Sequence, residues 1–258
     1  MISKNKLKEL AVYKQQKRCD EDSLFVVEGI KMCDEILAAN VPIKVICATF
    51  SWLSTHSNLP SSAEVFEVDA DSLERLSSMR TPNEVWMLLE RNILTINSNN
   101  LQFDNKPSLT IVLDHLQDPG NMGTIIRTAD WFGIRHIVCS QGTVSCFNPK
   151  VIQSTMGGLF RTKIEYVDLI EYLSNCGKPI FGALLDGENI WNSPTPLRMP
   201  DQGAMLVIGN ESRGISPEIQ KLVSQRVLIP NIGGTAESLN AAVACSILIA
   251  HLLDPRNV

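Results

Sequence analysis

From residue 24 onward, short apolar runs alternate with segments whose apolar residues recur at helical spacing. LFVVEG at 24–29 reads as a strand. GIKMCDEILAAN then reads as a helix with Ile30, Cys33, Ile36 and Leu37 on one inward face. IKVICATF, EVFEVD and EVWMLLER follow as strands, with helical DSLERLSSM before the last, so a compact α/β unit closes near residue 91. The next stretch, NILTINSNNLQFDNKPS, is rich in Asn and Ser and loses its periodicity, so 97–107 reads as a linker.

TIVLD at 110–114 restarts the strand-then-helix rhythm, and HIVCS, TKIEYVD, PIFGALL, AMLVIGN and RVLIPN continue it. Asn148-Pro149 and Ser216-Pro217 each set a capping side chain before a proline at the first helical position, and Gly133 closes a helix as its C′ residue. Strands alternating with helices at this length predict an α/β fold with a mostly parallel sheet covered on both faces. Ligands of such sheets gather beyond the carboxyl ends of the strands.

Composition narrows the class. At 44% hydrophobic and 20% charged residues, the 258-residue chain is an ordinary globular protein of one large or two modest domains. No apolar run reaches bilayer length, and the Lys-bearing start lacks the apolar core of a secretory signal. Seven cysteines, odd in number and without a CxxC pair, read as reduced thiols, so a cytoplasmic protein is expected. The net charge of −5 does not itself point to nucleic acid, but Lys4, Lys6, Lys8, Lys14, Lys17 and Arg18 cluster before residue 19, opposed by Glu9. That cluster is either a phosphate footprint or a solvated helix face.

Three strand ends carry polar residues that packing does not require: DHLQDPGNMGTIIR, MLVIGNESRGIS and VLIPNIGGTAESLNAAVACSILIA. Singly, each has a plain structural reading: Asn121 as a helix cap, Arg127 paired with Asp130 or Glu211, Glu211 an exposed loop acid, Ser238 and Asn240 first-turn polar groups. Together they point to a polar ligand, because glycines admit close approach and helix N-termini offer free N–H groups. Phosphate-loop and dinucleotide fingerprints are absent. His56, His115, His136 and His251 are isolated, with no metal-ligand spacing, so no metal is expected. Ser212 lies in NESRG, outside a nucleophile elbow, which argues against a serine hydrolase.

These segments resemble, in order and spacing, the three motifs of the SpoU (TrmH-type) RNA ribose methyltransferases of the SPOUT superfamily: DPGNMGTIIRTADWFGI, IGNESRGIS and IPNIGGTAESLNAAVA. The first half is similar to the family's RNA-binding domain of ribosomal-protein type. The resemblance implies residues 1–96 for RNA binding, a linker at 97–107 and a knotted methyltransferase domain at 108–258 with a deep trefoil knot. It implies a homodimer, S-adenosylmethionine as methyl donor, and methylation of a ribose 2′-hydroxyl in ribosomal or transfer RNA, with ribosomal RNA favoured. By position it makes Arg127, Asn121, Glu211, Ser238 and Asn240 the catalytic set, and Leu184, Gly209, Ile229 and Leu239 the cofactor contacts. Two stretches depart from the pattern. Gln153 and Thr155 stand where the family often carries Arg and Ser, and Asn83-Glu84 replaces a common Gln-Gly turn.

A competing reading is a non-catalytic RNA-binding or ribosome-assembly protein on the same fold, and another is a small-molecule nucleotide enzyme. The intact Asn121, Arg127, Glu211, Ser238 and Asn240 weigh against the first; the basic start and separate N-terminal domain weigh against the second.

Overall fold

The computed structural model describes residues 1–79, 81–91, 108–192 and 199–254. The proposed linker at 97–107 lies outside them. The chain divides into two compact units, Met1–Asn100 with Phe147–Phe160, and Leu101–Cys146 with Arg161–Val258.

In the first unit, α1 (Lys4–Ala11) and α2 (Gln16–Glu21) precede β1 (Leu24–Glu28), α3 (Ile30–Ala38), β2 (Val45–Ala48), α4 (Phe50–Thr55), β3 (Glu64–Glu67), α5 (Ala70–Leu76) and β4 (Val85–Glu90). The sheet order is β1-β4-β2-β3, with β4 antiparallel to β1 and β2, and β2 parallel to β3. A core of Leu7, Leu10, Leu24, Val45, Leu73, Leu76, Trp86 and Leu88 joins the helices α1 and α5 to the sheet. The mostly apolar run IKVICATF ends as a strand at Ala48, because Thr49 caps α4 by accepting from the Trp52 N–H at 3.3 Å. Ile30 also departs from its expected inward place. Gly29 at φ 96° turns the chain sharply into α3, and Ile30 is left 41% exposed while Met32, Cys33 and Ile36 are buried.

The segment 147–160 belongs to this first unit, although the sequence reading places it in a continuous domain at 108–258. Aromatic packing is the reason. The Phe25 ring lies 5.0 Å from Phe147 and 6.4 Å from Phe160, and Arg91 sits over Phe147 at 4.7 Å. Within the segment, α7 (Pro149–Thr155) is capped by Asn148, and Gln153 Nε2 donates to the Glu28 carbonyl at 2.8 Å.

The second unit is a six-stranded parallel sheet ordered β10-β8-β9-β5-β6-β7. Its strands are β5 (Leu109–Leu113), β6 (His136–Ser140), β7 (Lys163–Val167), β8 (Ile180–Asn189), β9 (Ala204–Ile208) and β10 (Gln225–Leu228). The helices are α6 (Pro119–Trp131), α8 (Leu169–Ser174), α9 (Pro217–Gln220) and α10 (Ala241–Leu252). Every residue of β5 and β9 is buried, as expected of central parallel strands covered on both faces. Gly133 ends α6 at φ 71°, the left-handed stop its position predicts. Ser216 precedes α9 without a side-chain capping bond; its own N–H donates instead to buried Asp114 at 2.7 Å. Pairing of β10 with β8 jumps from Gly182 to Glu188, and a Cβ at Gly187 would lie 2.6 Å from the Val227 backbone. Among the described residues, no helix is long and apolar enough to cross a membrane.

Candidate active site

The order β10-β8-β9-β5 brings the three polar loops to neighbouring strand ends. Loop 114–118 follows β5, loop 209–216 follows β9, and loop 229–240 follows β10 and leads into α10.

Glu211 fastens the first two loops. Its Oε1 accepts from Asn121 Nδ2 and the Asp118 N–H, both at 3.0 Å, and its Oε2 accepts from the Gln117 N–H at 3.2 Å. Partial burial pushes this carboxyl's pKa up. The bonds from Asn121 and from the backbone of Asp118, its own residue and Gln117 outweigh burial and hold it below the ordinary glutamate range. Asn121, 7% exposed, is the middle of the arrangement, since its Oδ1 accepts from Asn240 Nδ2 at 2.8 Å. Asn240 in turn caps α10, accepting from the N–H groups of Ala242 and Val243 at 2.9 and 3.2 Å. One continuous chain, Glu211–Asn121–Asn240, therefore links all three loops.

The capping role that the sequence left open for Asn121 falls to Asp118, whose Oδ1 accepts the Asn121 N–H at 2.8 Å. Asn121 keeps its carboxamide for the site. Arg127 lies six positions on, about 9 Å along the helix and about 120° round it. It is exposed and has no hydrogen-bond or ion-pair partner among the described residues. Asp130, offered by the sequence as its partner, is taken by Arg135 at 3.1 Å and Arg161 at 3.0 Å. Ser238 is exposed in loop 229–240 and makes no bond to the Glu211–Asn121–Asn240 chain.

Three of the four expected cofactor contacts follow one row of the sheet, and the fourth, Leu239, lies in the loop before α10. Gly182 pairs with both Val207 and Arg226, and two or three residues beyond that row stand Leu184, Gly209 and Ile229. Leu184 and Ile229 are partly buried, while Leu239 is 49% exposed. Uncharged, half-open apolar side chains beside a backbone loop fit the flat purine and ribose of an adenosyl group. Gly209 has a structural duty as well. A Cβ there would overlap the Gly214 carbonyl carbon, where Asn210 and Gly214 exchange backbone bonds of 3.0 and 2.9 Å.

Two organising residues escape the motif-based reading. Asn210 Nδ2 donates to the His115 carbonyl at 2.8 Å while its Oδ1 accepts from the Ser212 and Arg213 N–H groups. Asn231 folds the glycine loop: its Oδ1 accepts from Gly233 and Gly234, and its Nδ2 donates to the carbonyls of Gly234 and Ala236. An Asn two residues ahead of a Gly-Gly pair is the signal that finds it. A cavity of about 1060 Å³ in the same unit lies at the opposite, amino end of the sheet, beside Leu109, His136 and Met205, and none of the expected catalytic or cofactor residues lines it.

Comparison with known proteins assigns the family. The SpoU rRNA Methylase family profile matches residues 108–250, more than half of the chain, and an MRM3-like substrate binding domain matches residues 4–86. The chain belongs to the SpoU rRNA methylase family. A solved structure from Porphyromonas gingivalis, assigned to the TrmH family of RNA methyltransferases, is 35% identical and superimposes with a TM-score of 0.80, covering 97% of this chain and 98% of that one. The 23S rRNA (guanosine(2553)-2′-O)-methyltransferase of Bacillus subtilis is 26% identical over 96% of this chain and 95% of its own. An AdoMet-bound rRNA methyltransferase from Sinorhizobium meliloti, 24% identical, shares the fold with a TM-score of 0.80 over 97% of this chain and 95% of that one. Family membership makes the chain an RNA methyltransferase, and all three family motifs include residues of the loops joined through Asn121.

Proposed function

We propose that this SpoU-family enzyme transfers a methyl group from S-adenosylmethionine to a ribose 2′-hydroxyl of ribosomal RNA. The observation that carries the reading is the Glu211–Asn121–Asn240 chain, three motifs tied into one polar floor, with Arg127 uncommitted on the helix that supplies Asn121.

The cofactor supplies a methyl group already activated on a sulfonium. Leu184, Gly209, Ile229 and Leu239 hold the adenosyl portion. Arg127 binds the phosphate next to the target ribose and polarises the hydroxyl. Its guanidinium stays protonated in proteins, so the hydroxyl proton passes to a phosphate oxygen or water. Asn121, its carboxamide fixed from both ends by Glu211 and Asn240, orients the ribose. Ser238 presents its hydroxyl from the exposed loop to the same phosphate. Such alignment contributes up to roughly 7–11 kcal/mol in well-oriented systems. The transfer so written uses no metal.

The protein acts as a homodimer. Trp131 on α6 is 85% exposed and Val243 on α10 46% exposed, apolar surface on two helices joined by a Thr128–Ser246 hydrogen bond of 3.2 Å. By the family resemblance, we place the trefoil knot in the C-terminal segment. A cytoplasmic setting accords with seven free thiols; burial pushes that of Cys19 up to about 11 and that of Cys245 to about 12.

The test is methyl transfer from radiolabelled S-adenosylmethionine to unmodified ribosomal RNA, followed by complete alkaline hydrolysis. A 2′-O-methyl group removes the hydroxyl that alkali uses, so label retained in a resistant dinucleotide supports the reading. Label released as mononucleotide means base methylation and refutes it. In the same assay Arg127→Lys loses most turnover while cofactor binding, followed by calorimetry, is retained. Parallel loss of both overturns the role given to Arg127.

A further inference from the structure

We infer that the carboxyl edge of the first unit's sheet is where RNA docks, with the Phe50 ring as a stacking platform for an unpaired base. The inference rests on the RNA methylation proposed above and names the surface that receives the substrate.

Strands β1 and β2 both run antiparallel to β4, so their carboxyl ends meet at one edge around the start of β4. The Gly29 N–H donates to the Val85 carbonyl at 3.2 Å and the Thr49 N–H to the Glu84 carbonyl at 2.9 Å. Ile30 and Phe50, each one residue further, therefore stand two strand spacings apart, about 10 Å. Phe50 is 71% exposed and Ile30 41% exposed. Phe50 is not loosely held. The Thr49 cap fixes the start of α4, and Trp52, 2% exposed, anchors it with its ring 3.9 Å from that of His56 at an interplanar angle of 11°. A helix that buries one aromatic residue and presents another two positions earlier fixes the backbone from which that ring projects.

The polar groups at this edge match a nucleotide strand. Lys31 follows Ile30. Lys150 on α7 lies one turn before Gln153, which bonds the carbonyl that ends β1. Both lysines are exposed and free of carboxylate partners among the described residues. Asn83 is exposed beside Gly29, its Nδ2 engaged by Met79 Sδ at 3.8 Å. Of the nearby acids, Glu84 accepts from the Thr49 hydroxyl at 3.4 Å, while Asp34 lies 3.2 Å from His56 with that oxygen making no hydrogen bond.

The basic N-terminal cluster is the alternative footprint, and much of its charge is already used. Lys6 pairs with Glu9 at 3.1 Å and Glu64 at 3.2 Å. Arg18 pairs with Glu21 and Asp22 at 3.2 and 3.1 Å, and Lys14 donates to the Glu74 carbonyl at 3.3 Å. An exposed ring and aliphatic side chain flanked by unpaired lysines and a carboxamide is what single-stranded RNA, with its splayed bases and phosphates, requires.

The experiment compares wild type with Phe50→Ala, Phe50→Trp and, as a control of similar exposed apolar character, Val12→Ala. The probe is 23S ribosomal RNA transcribed in vitro, read by filter binding and by the KM and kcat of methyl transfer, with thermal melts on each protein. Phe50→Ala is expected to raise Kd and KM for RNA roughly five- to hundred-fold, the range of lost base stacking. Its kcat at saturating RNA, cofactor affinity and Tm stay near wild type. Phe50→Trp restores binding and Val12→Ala changes nothing. Unchanged RNA binding in Phe50→Ala, with wild-type methyl transfer intact, overturns the docking surface and leaves the proposed activity standing. A loss that Phe50→Trp does not recover, or that travels with a fallen Tm, also overturns it, since the ring then serves packing. A wild-type protein that neither binds nor methylates the transcript overturns both readings.

Discussion

The Asn240 carboxamide accepts from two N–H groups of α10 through its oxygen and donates to Asn121 through its nitrogen, so one substitution can separate the two duties. Asn240→Asp keeps the cap and removes the donor. Its Tm should stay within a few degrees of wild type while methyl transfer falls at least tenfold; Asn240→Ala should lose activity and also about 1 kcal/mol of stability, read by urea melts. Glu211 carries a pH signature. Its folded pKa lies below the ordinary value of 4.5, so its stabilising contribution is complete above that value and fades as pH falls through the lower, folded one. Glu211→Gln should therefore be less stable than wild type at pH 7, by roughly 1 kcal/mol given its exposure, and the gap should narrow as pH falls below 4.5. A gap that does not narrow on acidification would show that the ionised carboxylate is not what holds the loop.

At the scale of elements, periodicity located most strands and helices because their burial patterns are simple. It overran where apolar residues continue past a change of direction: Phe50 extends the apolar run of β2, yet the Thr49 hydroxyl starts a helix there. The short helix α4 carried no long periodic pattern to betray it. Loop 209–216 shows the reverse, a local sequence whose meaning depends on a long-range contact. Gly209 reads as room for a ligand, and the structure adds that its Cβ would collide with Gly214. Gly209→Ala should split the Asn210–Gly214 pair and lower Tm, at a cost of about 2 kcal/mol or more, and weaken S-adenosylmethionine binding at least tenfold by calorimetry. Full affinity in that variant would separate the turn from the cofactor site.

For the whole molecule, the apolar surface of α6 and α10 carries the assembly prediction. Of the last helix, Ala242, Cys245, Leu248, Ile249 and Leu252 are buried within one chain while Val243 remains open. Val243→Glu places a charge on that surface. Sedimentation velocity should find a dimer for wild type and a monomer for the variant, with the monomer impaired in methylation; an unchanged mass would move the interface elsewhere.

By itself the sequence determined the fold class, the three strand-end loops and the residue types gathered there, because each rests on local information: period, caps, turns and contiguous motifs. The tertiary structure decided how those residues are used. Only the sheet order makes Glu211 reach Asn121 across 90 positions and Asn240 reach it across 119. Only packing shows that Asp118 caps α6, that 147–160 joins the first unit through Phe25, and that Phe50 stands outside the core. Such facts depend on which distant segments share a strand end or a ring contact, and no local pattern carries that distance.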